Sequence, residues 1–323
     1  MITRAILRAA AALSMVCAMT GPALSQAPFP SRTVTIVNPY PAGGGADIVA
    51  RAVAKELSQE WGQPVVVENR PGAGTTIAAA YVARAPADGH TLLLSTTQHA
   101  IAPAIFKSLP YDYLSAFAPI AILSDSPFFL VVRPERGLNS VDDVVRELRQ
   151  KGGAMNFSSS GPGSLPHLAG AFLNQLTGAS ATHVPFAGTA PALTALLGGQ
   201  VDFLFADTSA LPNIQAGKAK ALATTSAGRS PVLPAVPAVR ESIAGFEMTV
   251  WTALEAPAGT PPAVINRIHE SVYRALALPS MVRMFAENSR QVVQLKPAQF
   301  QAFKQAEVQK YAKLARDAGL KVE

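Results

Sequence analysis

Cysteine is nearly missing: one residue, Cys17, in a chain of 323. It lies in an N-terminal segment that reads as a secretory signal. Arg4 and Arg8 form its positive region, Ala9 to Met19 its apolar region, and Ala23-Leu24-Ser25 a small-x-small cleavage site. A cut after Ser25 is expected, because a cut after Ala27 would place Pro28 next to the scissile bond. Met15-Val16 supplies no small residue before Cys17, so the segment does not resemble a lipoprotein site. The mature chain then has no cysteine. That excludes disulfides and thiol chemistry and fits a bacterial periplasmic protein large enough to fold without covalent staples.

Other absences narrow the function. The apolar run of the signal is far short of the roughly 20 residues a membrane span requires. Basic residues are scattered, and loss of Arg4 and Arg8 leaves 25 basic against 21 acidic residues, a net charge of about +4. No nucleic-acid partner is expected from so mild a balance, whereas small anionic ligands suit it. No G-x-S-x-G elbow occurs, so a secreted serine hydrolase would have to be built from Ser160 or Ser164, His167 and an aspartate. His269-Glu270 lacks the second histidine of H-E-x-x-H, and the five histidines are dispersed. No metal or cofactor is expected.

What the chain does have is apolar content, 49%, and length enough for two domains rather than one. Its organising stretch is Val34 to Arg51. The β-branched run Val34 to Val37 suits a strand, and Pro39-Tyr40-Pro41-Ala42-Gly43-Gly44-Gly45 cannot continue it. A helix follows with Asp47 in its first turn and Ile48, Val49, Ala52, Val53 and Leu57 at helical spacing, which predicts their burial. Free amides at a helix N terminus, its positive dipole end and close-approaching glycines make an anion seat. Gly43-x-Gly45 with Glu68 about 20 residues on also resembles a dinucleotide fingerprint. Ile48 in the third glycine position, and export, argue against it.

The rest alternates. Val65 to Glu68 reads as a strand, Thr75 to Ala85 as a helix, and Leu92-Leu93-Leu94 as a buried strand, followed by the polar loop Ser95-Thr96-Thr97-Gln98-His99. Such alternation implies parallel pairing in an α/β fold, with ligands beyond the carboxyl ends of the strands. Between Ala118 and Val132, two apolar runs broken by Ser124-Asp125-Ser126-Pro127 read as a crossing between lobes. The pattern then restarts: a helix over Val141 to Lys151, a strand over Met155 to Ser158, a second loop Ser159-Ser160-Gly161-Pro162-Gly163-Ser164, and a helix over Leu165 to Leu176. Beyond His183 to Gly188 come a helix (Ala190 to Leu197), a strand (Val201 to Ala206) ending at Asp207, a short helix (Leu211 to Ala216) and a strand (Ala219 to Thr224). Ser230 to Pro237 is a proline-rich loop, Thr249 to Leu254 a returning strand, and the remainder helical from Pro261-Pro262 and from Pro297.

Several motifs in this order resemble the Bug family of periplasmic solute-binding receptors of tripartite tricarboxylate transporters. They are Tyr40-Pro41-Ala42-Gly43-Gly44 with Ala46 to Arg51, Val66 to Gly74, Ser159 to Ser164 with His167-Leu168-Ala169-Gly170, Leu196 to Asp202, and Ala256 to Pro261. The resemblance covers Phe29 to Lys321. It implies an α/β, two-lobed type II periplasmic binding protein (Venus flytrap), each lobe a mostly parallel sheet flanked by helices. The expected division is a signal at 1–25, a discontinuous first lobe at 26–124 and 250–323, and a second lobe at 125–249. It also implies a non-enzymatic, monomeric protein that captures a small carboxylate-bearing organic acid for the membrane subunits of such a transporter. A ligand sensor that hands the acid to a signalling partner is the alternative.

In this family the carboxylate is expected on main-chain amides, hydroxyls and ordered water. That carries the ligand-binding expectation onto Tyr40, Ala42, Gly43, Gly44, Gly45, Asp47, Thr97, Gln98, Ser159, Ser160, Gly163, Ser164, His167, Phe186, Ala187, Gly188 and Asp207. Each has a blander reading. Asp47 can complement its own helix, His167 can make a structural hydrogen bond, Asp207 can cap a turn, and Gln98 can merely narrow the pocket. Phe186-Ala187 departs from the tyrosine and basic residue common there, which points towards a less charged acid unless Phe186 is a packing residue. Arg70 has carboxylate-clamp chemistry but fits a structural ion pair better.

Overall fold

The computed structural model describes residues 29–317 and Gly319. The signal segment with Cys17 lies outside them.

The first sheet is built from β1 (Val34–Asn38), β2 (Val65–Asn69), β3 (Thr91–Thr96) and β4 (Phe117–Pro127), linked by α1 (Gly45–Trp61), α2 (Thr76–Ala83) and α3 (Thr97–Ile105). The chain then enters a second sheet through β5 (Phe129–Val132) and α4 (Val141–Lys151). There follow β6 (Asn156–Ser159), α5 (Leu165–Thr177), β7 (Thr182–Pro185), α6 (Thr189–Leu197), β8 (Phe203–Ala206), α7 (Leu211–Gln215) and β9 (Lys220–Thr224). It returns on β10 (Thr249–Pro257) and finishes with α8 (Pro262–Leu276), α9 (Pro279–Glu287) and α10 (Pro297–Asp317).

The strand orders are β2-β1-β3-β10-β4 and β7-β6-β8-β5-β9. In each sheet one strand opposes the other four: β10 runs antiparallel to β3 and β4, and β5 antiparallel to β8 and β9. These opposing strands are the first that the chain lays down after each crossing, so the two sheets are copies of one plan. The crossings are tied together. Thr249 pairs with Pro127 and Val250 with Ser126, while Thr225 accepts from Phe128 N through its hydroxyl and accepts from Met248 N through its carbonyl.

Helix α1 shows how the elements are held. Val49, Val53 and Leu57 are fully buried against the sheet, each contributing about 1.5–3 kcal/mol, and Gly62 at φ 64° ends the helix by donating to Ser58 O. Apolar layers cover both faces of the first sheet, one shared with the second lobe and one under α1 and α8. A third layer packs α6 on the second sheet. Helix α10 reaches both lobes, lying on α3 and β4 and touching α5, where Gln175 Nε2 donates to Asp317 Oδ2.

Four sequence expectations are corrected. Ile48 is half exposed, because Asp47 turns inward in its place and Ala50 and Ala54 complete the buried face with Val49. The segment Ser95 to His99 is not a loop: β3 continues to Thr96 and α3 starts at once, with His99 Nδ1 accepting from Thr96 N. Ser124 to Pro127 does not interrupt a run; it is the end of β4, with Ser124 and Ser126 buried. The strand β7 and the separate helix α9 are further elements that apolar periodicity did not reveal.

Candidate functional site

At the C-terminal ends of β1, β3, β6 and β7 the chain turns directly into α1, α3, α5 and α6. Each helix presents its first amides there, before any i→i−4 bond begins, together with the positive end of its dipole. Two of these termini belong to the first lobe and two to the second. The lobes touch at the opposite end of α3, where a Cβ on Gly163 would lie 3.3 Å from Ile105 Cδ1.

In the first lobe the loop from Tyr40 to Gly45 is shaped by one carboxylate. Asp47 is 2% exposed, and its Oδ1 accepts from Asn38 Nδ2 at 3.1 Å and Asn69 Nδ2 at 2.8 Å. Its Oδ2 accepts from Gly43 N at 2.9 Å and Arg51 Nε at 2.8 Å. Arg51 above all holds the Asp47 carboxyl far below the usual carboxylate range, against the opposing effect of burial. Asp47 is thus saturated within the protein, and so is the Gly43 amide. Ala42, Gly44 and Gly45 are exposed. Gly43, at φ 83°, needs its glycine for the turn.

Tyr40 links this loop to the next. Its hydroxyl lies 2.9 Å from Thr96 Oγ1, its carbonyl accepts from Asn69 Nδ2, and burial pushes the phenol up. Thr97 is turned inward: Oγ1 accepts from Trp251 N at 2.9 Å and donates to Thr249 O at 3.3 Å, fastening α3 to β10. Gln98 is the residue of this turn whose side chain is partly exposed.

The second-lobe wall has its own scaffold. Ser159 Oγ donates to Gly161 O, accepts from Gly161 N and lies 2.6 Å from His183 Nε2. Ser164 Oγ donates to Gly161 O, and Gly163 N donates to His167 Nδ1 at 3.1 Å. Ser160 and Ser164 are partly exposed at this turn, while Gly163 and the first residues of α5, Leu165 and Pro166, are buried. Phe186 packs, partly buried, against the α6 core layer, while Ala187 is exposed and Gly188 at φ 118° precedes α6. Asp207 Oδ1 accepts from Ser209 N at 2.9 Å and Oδ2 from Thr189 Oγ1 at 3.3 Å, which joins the end of β8 to the start of α6.

This wall does not form a hydrolase. Ser164 and His167 point to different backbone partners, and the Ser159–His183 pair is buried at its serine, which already accepts from Gly161 N. Arg70 lies 2.6 Å from Glu68 and over the Tyr81 ring, away from the four turns. Two surface cavities, about 580 Å³ around Ile77, Tyr81 and Arg84 and about 820 Å³ around Arg32, His90 and Arg267, are lined by first-lobe residues and by none from the four turns.

One residue of this region carried no sequence signal. Arg290, after α9, is half-buried, donates from Nη1 to Ser124 Oγ at 3.3 Å, and places Nη2 2.5 Å from where a Cβ on Gly45 would be. Burial lowers its pKa and Asp207, on the second lobe, raises it.

Two mixed sheets flanked by helices, two crossings and helices that open at the carboxyl ends of parallel strands in both lobes define a two-lobed solute-binding protein of the type II periplasmic class. The family model described as "Tripartite tricarboxylate transporter family receptor" matches residues 49–320, and the chain belongs to that family. Rpa4515 of Rhodopseudomonas palustris, solved with adipate, is similar at TM-score 0.80 and 31% identity over 91% of this chain and 100% of that one. The periplasmic binding protein BugD is similar at TM-score 0.76 and 34% identity, again over 91% and 100%. MatC of R. palustris, solved with malate, is similar at TM-score 0.75 and 34% identity, over 88% and 99%.

Proposed function

We propose that this protein is an exported, periplasmic receptor that closes its two lobes on a small organic acid and delivers it to the membrane subunits of a tripartite tricarboxylate-type transporter. The expected division at 124/125 and 249/250 shifts slightly, because β4 stays in the first sheet to Pro127 and β10 rejoins it at Thr249: the lobes are residues 26–127 with 249–323, and 128–248, following a signal at 1–25. The observation that carries the reading is that four helices, two in each lobe, open at the carboxyl ends of parallel strands, the edge at which α/β sheets take ligands. Such termini hold a carboxylate through amides and water without a dedicated charge. Family membership and two relatives solved with dicarboxylates support it. Hinged closure about the paired crossing strands would bury the acid and present a new surface to the transporter.

The test is calorimetric and thermal-shift titration of the protein lacking residues 1–25 against adipate, malate, short monocarboxylates and benzoate, with neutral sugars and amino alcohols as controls. Binding and stabilisation by at least one acid are expected. Stabilisation by a neutral solute and by no acid overturns the reading.

A further inference from the structure

We propose that Arg290 is the residue that makes this cleft select an anionic group, by laying its guanidinium over Gly45 at the first turn of α1. The inference rests on the reading of the cleft as an organic-acid site and names the side chain that enforces it.

Gly45 is not a glycine for backbone reasons. It lies inside helical geometry, unlike Gly43 at φ 83°, so its conformation admits any residue. The nearest atom to a Cβ there would be Arg290 Nη2 at 2.5 Å, so an alanine would push the flexible end of the arginine aside. The guanidinium therefore occupies the flank of the seat itself.

Its position is set by the backbone on either side. Arg290 N donates to Phe285 O at 2.8 Å, Ser289 adopts φ 54° and its hydroxyl meets that of Ser230 across the lobes, and Gln291 bridges to Asp125. The charge is not consumed locally. Among the described residues Arg290 has the Ser124 hydroxyl as its side-chain partner and no carboxylate within 4 Å. Asp207 acts on it from the facing lobe, yet both oxygens of Asp207 are already engaged there.

A guanidinium set against the positive end of a helix is a like-signed arrangement, unfavourable until an anion joins them. A carboxylate between the first α1 amides and Nη2 would satisfy both, with charge-assisted hydrogen bonds added to those from the backbone. The site then prefers a carboxylate over its amide or ester, even though Phe186-Ala187 offers no charge on the other wall.

The tightest acid of the panel, and its primary amide, are titrated into wild type, Arg290→Gln, Arg290→Lys, Gly45→Ala, Asp207→Asn and the Gly45→Ala/Arg290→Gln double variant. Arg290→Gln is expected to weaken the acid about 10- to 100-fold, to leave the amide unchanged, and to leave the ligand-free melting temperature nearly unmoved. Arg290→Lys should fall between. Gly45→Ala should weaken the acid in wild type but not further in the Arg290→Gln background, because its only effect is to displace the guanidinium. Equal acid affinity in wild type and Arg290→Gln overturns the proposal, as does an equal loss from Asp207→Asn that is not increased in an Asp207→Asn/Arg290→Gln double variant, which would make Arg290 a closing latch. If no acid binds wild type, it is the reading of the cleft that has failed.

Discussion

The imidazoles of His167 and His183 are stacked face to face, with ring centroids 3.7 Å apart and planes 9° from parallel. Each is tied to the second glycine loop, His167 through Gly163 N and His183 through Ser159 Oγ. Burial first, and the neighbouring His167 second, push His183 down to about 4 from its ordinary 6.5. Its folded value lies below its unfolded one, so the unfolded chain takes up the proton first. Stability is therefore complete above about pH 6.5 and is lost as the pH falls towards 4. After allowance for solvent screening at this half-exposed ring, the effect is about 1 kcal/mol, or about 2 °C in melting temperature. The buried His99 is also lowered to about 4, so wild type keeps a second slope in the same window. Melting curves of wild type and His183→Gln between pH 7.5 and 4.5 isolate the stacked pair: the advantage of wild type should shrink on acidification. Parallel curves would refute it.

Asp47 and Asn69 are the second testable relation. Asn69 Nδ2 donates to Asp47 Oδ1 and to Tyr40 O, so one amide fixes both ends of the first glycine loop. Truncating Asp47 to alanine leaves Gly43 N and Asn38 Nδ2 without the acceptor they use and removes one of two acceptors from Asn69 and from Arg51. A loss of about 3 kcal/mol in urea unfolding of the ligand-free protein is expected, with weaker acid binding as the loop loosens. Asp47→Asn should rescue little, because its amide nitrogen would face donors. A variant within 1 kcal/mol of wild type would show that the loop is held by something else.

These residues show what could be read from the chain and what could not. The glycine loops, their helices and the repeated αβ plan are local, written in turn residues followed by apolar positions at helical spacing. Ile48 and Ser95 to His99 mislead for local reasons as well: a buried aspartate rotates α1, and a strand that passes straight into a short helix opening on Thr-Gln-His looks like a loop. Gly170 belongs to a local motif, but its cause is a distant packing fact, since a Cβ there would run into the Phe157 ring. Arg290 had no local signature at all. It is 166 residues from Ser124, and its meaning depends on a helix start that only tertiary folding brings beside it.

The last relation lies in the protein interior. Lys304 of α10 and Glu255 of β10 form an ion pair in which both side chains are fully buried, and Tyr113 donates to Glu255 Oε1 at 2.7 Å. The ammonium also lies 4.3 Å from the centre of the Tyr113 ring. Two charges withdrawn from water gain little net stability from one another, but either one alone is costly. Lys304→Met should therefore destabilise by about 3–5 kcal/mol in urea unfolding, because Glu255 is left buried without its cation. Adding Glu255→Leu should restore most of that loss, since two apolar side chains can fill the same space at little cost beyond the stranded Tyr113 hydroxyl. The double variant should still bind the acid, because neither charge reaches the cleft, and in this it differs from Arg290→Gln. A single variant that unfolds like wild type, or a double variant no better than the single, would mean that the pair's space cannot be read as an isolated buried ion pair.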